Sequence, residues 1–227
     1  MADELSSTMR DYLAEIYRLS DRHATPEQRF VSTSTLADVL DVSAPAVNRM
    51  VTRLKELGLL EHEPYRGIRL TASGSREALK ELRRHRIAET FLVKVMGFGW
   101  HEVHSEAMRV GSALSEALTE RMAQMAGQPT HCPHGEPIPT AEGIIDEPDD
   151  FLLAEATPES GDLAITRVLT READRLEYLA ALGLVPGTRL HVLHVAPFNG
   201  PMQLRVNDEY RIIGHNLAEL IRVRPAD

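Results

Sequence analysis

The sequence predicts a multi-domain, mainly α-helical chain that closes on a small β-barrel, and three observations predict it. Apolar residues recur at helical spacing from Met9 to Met125. Asp146–Asp162 then brings seven acids, two prolines and no Lys or Arg. Beyond it the pattern changes to short β-rich runs set between Gly and Pro turns. The 227 residues are enough for two or three small domains. With 43% apolar and 26% charged residues, bulk disorder is excluded. A single cysteine, Cys132, excludes a disulfide framework and fits a reducing compartment. The first twenty residues carry Asp3, Glu4, Arg10, Asp11, Glu15 and Arg18, so neither a signal peptide nor a membrane anchor is expected, and the cytoplasm is the expected location.

Taken in order, Leu5–Leu19 has apolar residues at 9, 12, 13, 16 and 19 and predicts an amphipathic helix, followed by a loop over Asp21–Arg29. Ser34–Leu40 is a short helix. After Asp41-Val42, Ser43 is placed to cap a second helix with Pro45 in its first turn, running through Val47, Val51 and Leu54 to a stop at Gly58. Asn48, Arg49, Thr52, Arg53 and Lys55 lie off its apolar stripe, the arrangement of a helix-turn-helix. Leu59–His62 and Gly67–Thr71, joined by Pro64-Tyr65-Arg66-Gly67, add a two-stranded ribbon and complete a winged helix. A long helix from Ser73 breaks at Gly97-Phe98-Gly99, and a second is expected without interruption from Trp100 to Gly127. Helices this apolar favour a homodimer interface. Gln128–Pro139 reads as a loop and Asp146–Asp162 as a flexible, solvated linker. Strands are expected at Leu163–Ile165, Arg189–Val195, Met202–Val206 and Leu220–Val223, with a helix at Glu172–Leu182.

The formal net charge of -9 argues against a nucleic-acid binder, but its distribution argues the reverse. Residues 1–95 hold 15 basic and 14 acidic residues, whereas 96–227 hold 10 and 20. Within 45–86 there are ten basic residues against five acidic ones. A basic patch on an acidic body is the footprint of a DNA module tethered to a regulatory one.

One constellation carries coordination chemistry. His85 and Glu89 lie four apart on one helix face, and a hairpin across Gly97-Phe98-Gly99 can bring His104 beside them. Imidazole and carboxylate donors suit divalent Mn, Fe, Co, Ni or Zn. By itself a His-Glu pair at this spacing is more often a modest surface electrostatic pair; the third residue and the setting favour a metal. His131-Cys132-Pro133-His134 packs three donors into four residues, but without a second Cys or His pair at zinc-finger spacing a proline-stiffened loop is the better reading. No phosphate loop, nucleophile elbow or H-E-x-x-H occurs, so an enzyme is not expected.

In this order the strings Asp11–Tyr17, Ser43–Gly58, Tyr65-Arg66-Gly67, Arg84-His85-Arg86, Val103–Ala107 and Cys132–Gly135 with Pro137-Ile138-Pro139 resemble the diphtheria-toxin-repressor family of metal-dependent regulators, including its manganese-responsive branch. The tail around Leu182–Gly187 resembles the SH3-like, FeoA-type barrel of the longer members. The resemblance implies a winged helix over 1–74, a helical dimerisation and metal-binding domain over 75–145, an acidic linker over 146–162 and the barrel over 163–227. It also implies an ancillary metal held by His85, Glu89 and His104 and completed by a barrel carboxylate that matches Glu172. A further barrel ligand falls on Arg175, which does not ligate; Asp174 is the substitute at hand. The family's primary site maps onto Asp11 and Met108, and its Glu-His pair reads Gly111-Ser112 here. That site is therefore either lost or rebuilt from Asp11, Met108, a backbone carbonyl and water, with Glu15 as a substitute carboxylate.

The expected function is a homodimeric transcription factor whose affinity for a palindromic operator in double-stranded DNA rises when a divalent transition metal binds. Mn(II) is placed slightly ahead of Fe(II) because no cysteine stands at position 108. Ser43 and Pro45 match family positions at the helix start, Asn48 and Arg49 are placed to read base edges, and Arg53, Lys55 and Arg66 to meet phosphate. Two rivals stand beside it. One is a metal-binding scaffold or iron-transport accessory without sequence-specific DNA binding, suggested by the tail; the other is a zinc hydrolase using His101, His104 and Glu106, which lacks a nucleophile.

Overall fold

The computed structural model describes residues 5–20, 30–111, 113–146 and 148–226. The chain divides into two units, one comprising residues 1–85 with 139–145, the other 86–138 with 146–227. The loop expected over Asp21–Arg29 and position 112 lie outside the described residues.

In the first unit, α1 (Ser7–Ser20) buries Tyr12, Leu13, Ile16 and Leu19. Helix α2 (Thr33–Leu40) starts on Ser32, whose hydroxyl accepts from the Thr35 N–H at 3.0 Å, and ends on Asp41 in the left-handed region at φ 52°. The tight turn this permits leads into α3 (Ala44–Glu56), where Pro45 sits in the first turn. Val47, Val51 and Leu54 form the buried stripe of α3, each contributing roughly 1.5–3 kcal/mol by leaving water. Strands β1 (Leu60–Glu63) and β2 (Gly67–Leu70) pair antiparallel from Leu60↔Leu70 to Glu63↔Gly67. Gly67 is required where it stands, because at φ 112° an added Cβ would lie 2.3 Å from the Val31 carbonyl oxygen. The same close approach lets Val31 and Ile68 exchange backbone hydrogen bonds at 2.8 and 2.9 Å.

Helix α4 (Ala72–Lys94) is common to both units. In the second unit its C-terminal part packs with α5 (Val103–Gly111) and α6 (Glu116–Met125) around Ile87, Ala88, Leu92, Val103, Ala107, Met122 and Ala123. The single helix expected from Trp100 to Gly127 is thus two. Its apolar period runs on through the break, but Ser115 takes the Leu118 N–H onto its hydroxyl and starts a new helix. Met108, Leu118 and Met125 are left 46%, 48% and 54% exposed on the single chain.

The rest of this unit is a six-stranded, all-antiparallel sheet in the order β3-β8-β4-β5-β6-β7 around one apolar core. Its strands are β3 (Phe151–Leu152), β4 (Asp162–Val168), β5 (Arg189–Val195), β6 (Met202–Val206), β7 (Glu209–Ile213) and β8 (Ile221–Pro225), with α7 (Ala173–Ala181) after β4 and α8 (His215–Ala218) before β8. Two strands, β3 and β7, were not expected. The reading of 146–162 as a solvated linker is corrected: Phe151 and Leu152 pair with β8, and Leu153 and Ala156 are fully buried in the core. The acids suggested solvent, yet the Asp150 side chain is completely buried because Arg167 and Arg222 neutralise it.

Candidate metal centre

Helix α4 places the first two donors. His85 and Glu89 stand one turn apart on it and are 5% and 3% exposed. The chain then reverses: the Phe98 N–H donates to the Leu92 carbonyl at 3.1 Å, and Glu102 Oε1 accepts from the Gly99 N–H at 3.0 Å. This returns α5 with His104 in its first turn, and His104 Nδ1 lies 2.9 Å from Glu89 Oε1. Donor atoms of His85, Glu89 and His104 all lie within 4.8 Å of one another. The three side chains expected to share a metal are therefore brought together.

On the other side of Glu89 stands a group that the sequence reading assigned to a mere loop. Cys132, His134 and Glu89 form a second cluster of buried donors, again within 4.8 Å of one another. His134 Nδ1 is 3.7 Å from Glu89 Oε2, and its Nε2 donates to the Trp100 carbonyl at 2.8 Å. A carbonyl only accepts, so the proton is fixed on Nε2 and Nδ1 is the atom turned toward Glu89, the orientation that ligating histidines take when their far nitrogen is anchored. The loop is shaped by Gly135, whose φ is 85° and whose Cβ, if present, would fall 2.0 Å from the Thr166 carbonyl oxygen. Burial opposes charge on His134, yet hydrogen bonds to Cys132 and Glu89 and their negative charge carry its pKa from 6.5 up to about 10. Burial pushes the Cys132 thiol up, the charge of Glu89 adds to that, and the bond to His134 works against both. The sequence signal was three donors in four residues, of which His131 stays exposed against Thr130 while Cys132 and His134 meet a partner, Glu89, that stands on another element.

Nitrogen, oxygen and sulfur donors around one buried carboxylate are what divalent transition ions take, so the donor set fits such an ion. The other predicted ligands stand elsewhere. Glu172 precedes α7, is 65% exposed and pairs with Arg175 at 2.9 Å; Asp174 is exposed as well. Asp11 lies on α1, where burial and then the charge of Glu81 raise its carboxyl, with Arg10 and Arg18 opposing. Glu15, one turn on, is buried and paired with Arg18 at 3.3 Å. Among the described residues, neither donor cluster includes Asp11, Glu15, Glu172 or Asp174, and Met108 is exposed on α5.

In the first unit, Ser43, Pro45, Asn48, Arg49, Thr52 and Arg53 are all exposed, opposite the stripe that α3 buries. Arg53 pairs with Glu56 at 3.6 Å. On the wing, Arg66 pairs with Glu63 at 2.8 Å and covers the Phe30 ring at 4.1 Å. Tyr65, at the turn of the ribbon, is fully exposed.

Residues 4–68 match the description "Iron dependent repressor, N-terminal DNA binding domain", residues 71–140 "Iron dependent repressor, metal binding and dimerisation domain" and residues 152–225 "FeoA domain". The chain is 33% identical to the iron-dependent repressor IdeR of Mycobacterium tuberculosis over 97% of its own length and 98% of that protein. Among solved structures, a manganese-dependent transcriptional repressor in complex with manganese is 33% identical with a TM-score of 0.86, covering 95% of this chain and 98% of that one. IdeR of T. acidophilum is 28% identical with a TM-score of 0.80, covering 94% and 96%. A winged helix joined to a dimerisation domain with a metal centre defines a metal-dependent, DNA-binding transcriptional regulator. The chain belongs to the diphtheria-toxin-repressor family, in its form with a C-terminal FeoA domain. Its relatives are repressors rather than enzymes, which removes the hydrolase, and the family match supports regulation over the transport-accessory reading. Among the described residues no helix is long and apolar enough to cross a membrane.

Proposed function

We propose that this protein acts in the cytoplasm as a homodimeric repressor with a palindromic operator, and that its metal centre is built on Glu89 as the shared corner of two donor triads. The observation that carries the reading is the position of Glu89 between His104 at 2.9 Å and His134 at 3.7 Å, with His85 and Cys132 completing the two sides. When bound, a divalent ion supplies the positive charge that lets α4, α5 and the 131–138 loop be held to one another through these side chains. Glu89 contributes the charge-bearing oxygen, and His134, anchored at Nε2, would offer Nδ1 once the proton that its raised pKa keeps there is displaced by a bound ion. Order at Glu89 is order of α4, and α4 is the helix that continues into the DNA-binding unit. The exposed face of α3 then reads base edges with Asn48 and Arg49, while Arg53 and Arg66 meet phosphate. A dimer places its two recognition helices about 34 Å apart, or a multiple of it, which is why a palindrome is proposed.

The nitrogen and oxygen donors of His85, Glu89 and His104 suit Mn(II), which we place first. Cys132 offers Fe(II) a softer donor than the residue at position 108 gave reason to expect. The test is fluorescence anisotropy of labelled genomic fragments titrated anaerobically with protein in Mn(II), in Fe(II) and in chelator. At least tenfold tighter binding with metal, lost in Glu89→Gln, is expected. Equal affinity in chelator and in metal would overturn the reading.

A further inference from the structure

The loop that carries Cys132 and His134 has a second charged side chain, Glu136, that the metal centre does not use. Its carboxylate lies between two buried guanidinium groups: Arg86 of α4 donates to Glu136 Oε2 at 2.8 Å, and Arg167 of β4 to the same oxygen at 3.4 Å. Arg86 also donates to the Pro137 carbonyl at 2.6 Å, so one guanidinium holds two consecutive residues of the loop. Arg167 turns its other nitrogens to Asp150, at 3.0 and 3.2 Å, and Asp150 accepts in turn from Arg222 of β8 and, at 2.8 Å, from Thr166. Five charges of alternating sign thus run from the sheet to α4, three residues before Glu89.

The backbone couples this chain of charges to the donors. The Cys132 N–H donates to the Glu136 carbonyl and the Gly135 N–H to the Cys132 carbonyl, each at 2.9 Å, closing a turn whose two ends are Cys132 and Glu136. The His134 carbonyl, inside that turn, accepts from the Val168 N–H at 2.9 Å. A shift of Glu136 is therefore a shift of Cys132. Loop position could in principle be set by packing alone, but Glu136 and Arg167 meet as full charges with little solvent, 20% and 5% exposed, where electrostatic attraction is screened least.

We infer that Glu136 is a positioning residue of the metal centre: clamped between Arg86 and Arg167, it fixes the turn that presents Cys132 and His134 to Glu89, and so makes metal affinity depend on the docked C-terminal sheet. The inference rests on the centre proposed above, and its test separates the two. Full-length protein is titrated with Co(II), following the near-ultraviolet band of a thiolate bound to cobalt, with thermal unfolding of each metal-free variant run in parallel. Wild type shows the band and Cys132→Ser abolishes it. Glu136→Gln, folded by circular dichroism, binds Co(II) about 10–100-fold more weakly, the range for lost outer contacts to a ligand, with a diminished band, and Glu136→Asp recovers part of both. A merely structural clamp would lower the unfolding temperature while leaving band and affinity of the folded protein as in wild type; that result overturns the inference. If Glu136→Gln does not fold, Arg167→Lys, which keeps the charge and loses the fork, is read by the same two outcomes. Cobalt bound by wild type with no thiolate band removes Cys132 from the centre, and the inference with it.

Discussion

Replacing Asp150 by asparagine keeps the shape and removes one charge. The carboxylate is completely buried, and it accepts from Nε and Nη2 of Arg167, from Thr166 and from Arg222. The change leaves two guanidinium groups, 5% and 18% exposed, facing a neutral amide whose nitrogen is itself a donor. Breaking one partner of a buried ion pair costs about 3–5 kcal/mol, a large part of the roughly 5–15 kcal/mol that holds a folded protein together. At about 2–4 °C per kcal/mol for a chain of this size, the midpoint should fall by roughly 6–20 °C. Trp100 is the sole tryptophan and packs against the core of the C-terminal sheet, so its fluorescence follows the unit in question. Burial alone would raise the Asp150 carboxyl, but hydrogen bonds and charge from Arg167, with Thr166 and Arg222, hold it below its ordinary value of 3.8. Because the folded value is the lower one, the charged group stabilises the fold fully above the unfolded value and loses that contribution as pH falls through the folded one. The gap between wild type and Asp150→Asn should therefore be constant near neutrality and close below about pH 4. A midpoint shift under 2 °C at neutral pH, or a gap that widens in acid, would refute the reasoning.

Other perturbations test the remaining parts. Glu89→Gln should lower metal affinity by more than the 10–100-fold typical of outer contacts, since it removes the charged carboxylate common to both triads; isothermal titration with Mn(II) checks this. Arg49→Ala should weaken operator binding by about 1–3 kcal/mol and scrambled DNA by much less, and an equal loss on both would remove its base-reading role. Leu118→Glu should favour the monomer in sedimentation, because an isologous interface counts the change twice, about 3–6 kcal/mol at roughly 1.5–3 kcal/mol per leucine. Gly135→Ala should destabilise the loop more than the usual cost of about 1 kcal/mol for a left-handed residue, because its Cβ meets backbone, and metal titration should report weaker binding.

Legibility in the sequence followed the range over which each interaction acts. The winged helix was readable because its signals are local: Pro45 in the first turn of α3, a stripe at Val47, Val51 and Leu54, and glycines at Gly58 and Gly67; the Ser43 hydroxyl, expected as a cap, makes no capping hydrogen bond although Ser43 stands at the start of the helix. Local reasoning also placed His85 and Glu89 one turn apart, and a double-glycine turn was enough to bring His104 back. It failed where the deciding partner is remote. Asp150 counted as one more linker acid because the arginines that bury it lie 17 and 72 residues further on. Strand β7 escaped because Tyr210 and Ile212 are exposed on it, so its apolar residues do not mark an inner face. The break between α5 and α6 escaped for the opposite reason: the apolar period continues through it, and a single serine hydroxyl decides.

The same distinction explains why Glu172 was chosen as the fourth donor and Cys132 and His134 were passed over. A family pattern transfers positions, and position alone put a carboxylate at the start of α7; in this chain that carboxylate has Arg175 one turn away and solvent around it. Buried Glu89 needs compensation for both of its oxygens. One oxygen meets His104 from the adjacent helix, and the other faces His134, whose far nitrogen is spoken for by Trp100 and whose carbonyl is bonded to β4. The loop is thus tied to the sheet by the His134 carbonyl and the Glu136 carboxylate, and to α4 through Glu89 and Arg86. Detaching the sheet should then loosen the loop and lower metal affinity even though none of the described strands of the sheet contributes a donor to either cluster. Metal affinity unchanged in Val168→Pro, which deletes the N–H that the His134 carbonyl accepts from while the protein stays folded, would mean that the contacts to Glu89, Arg86 and Arg167 hold the loop without that backbone bond.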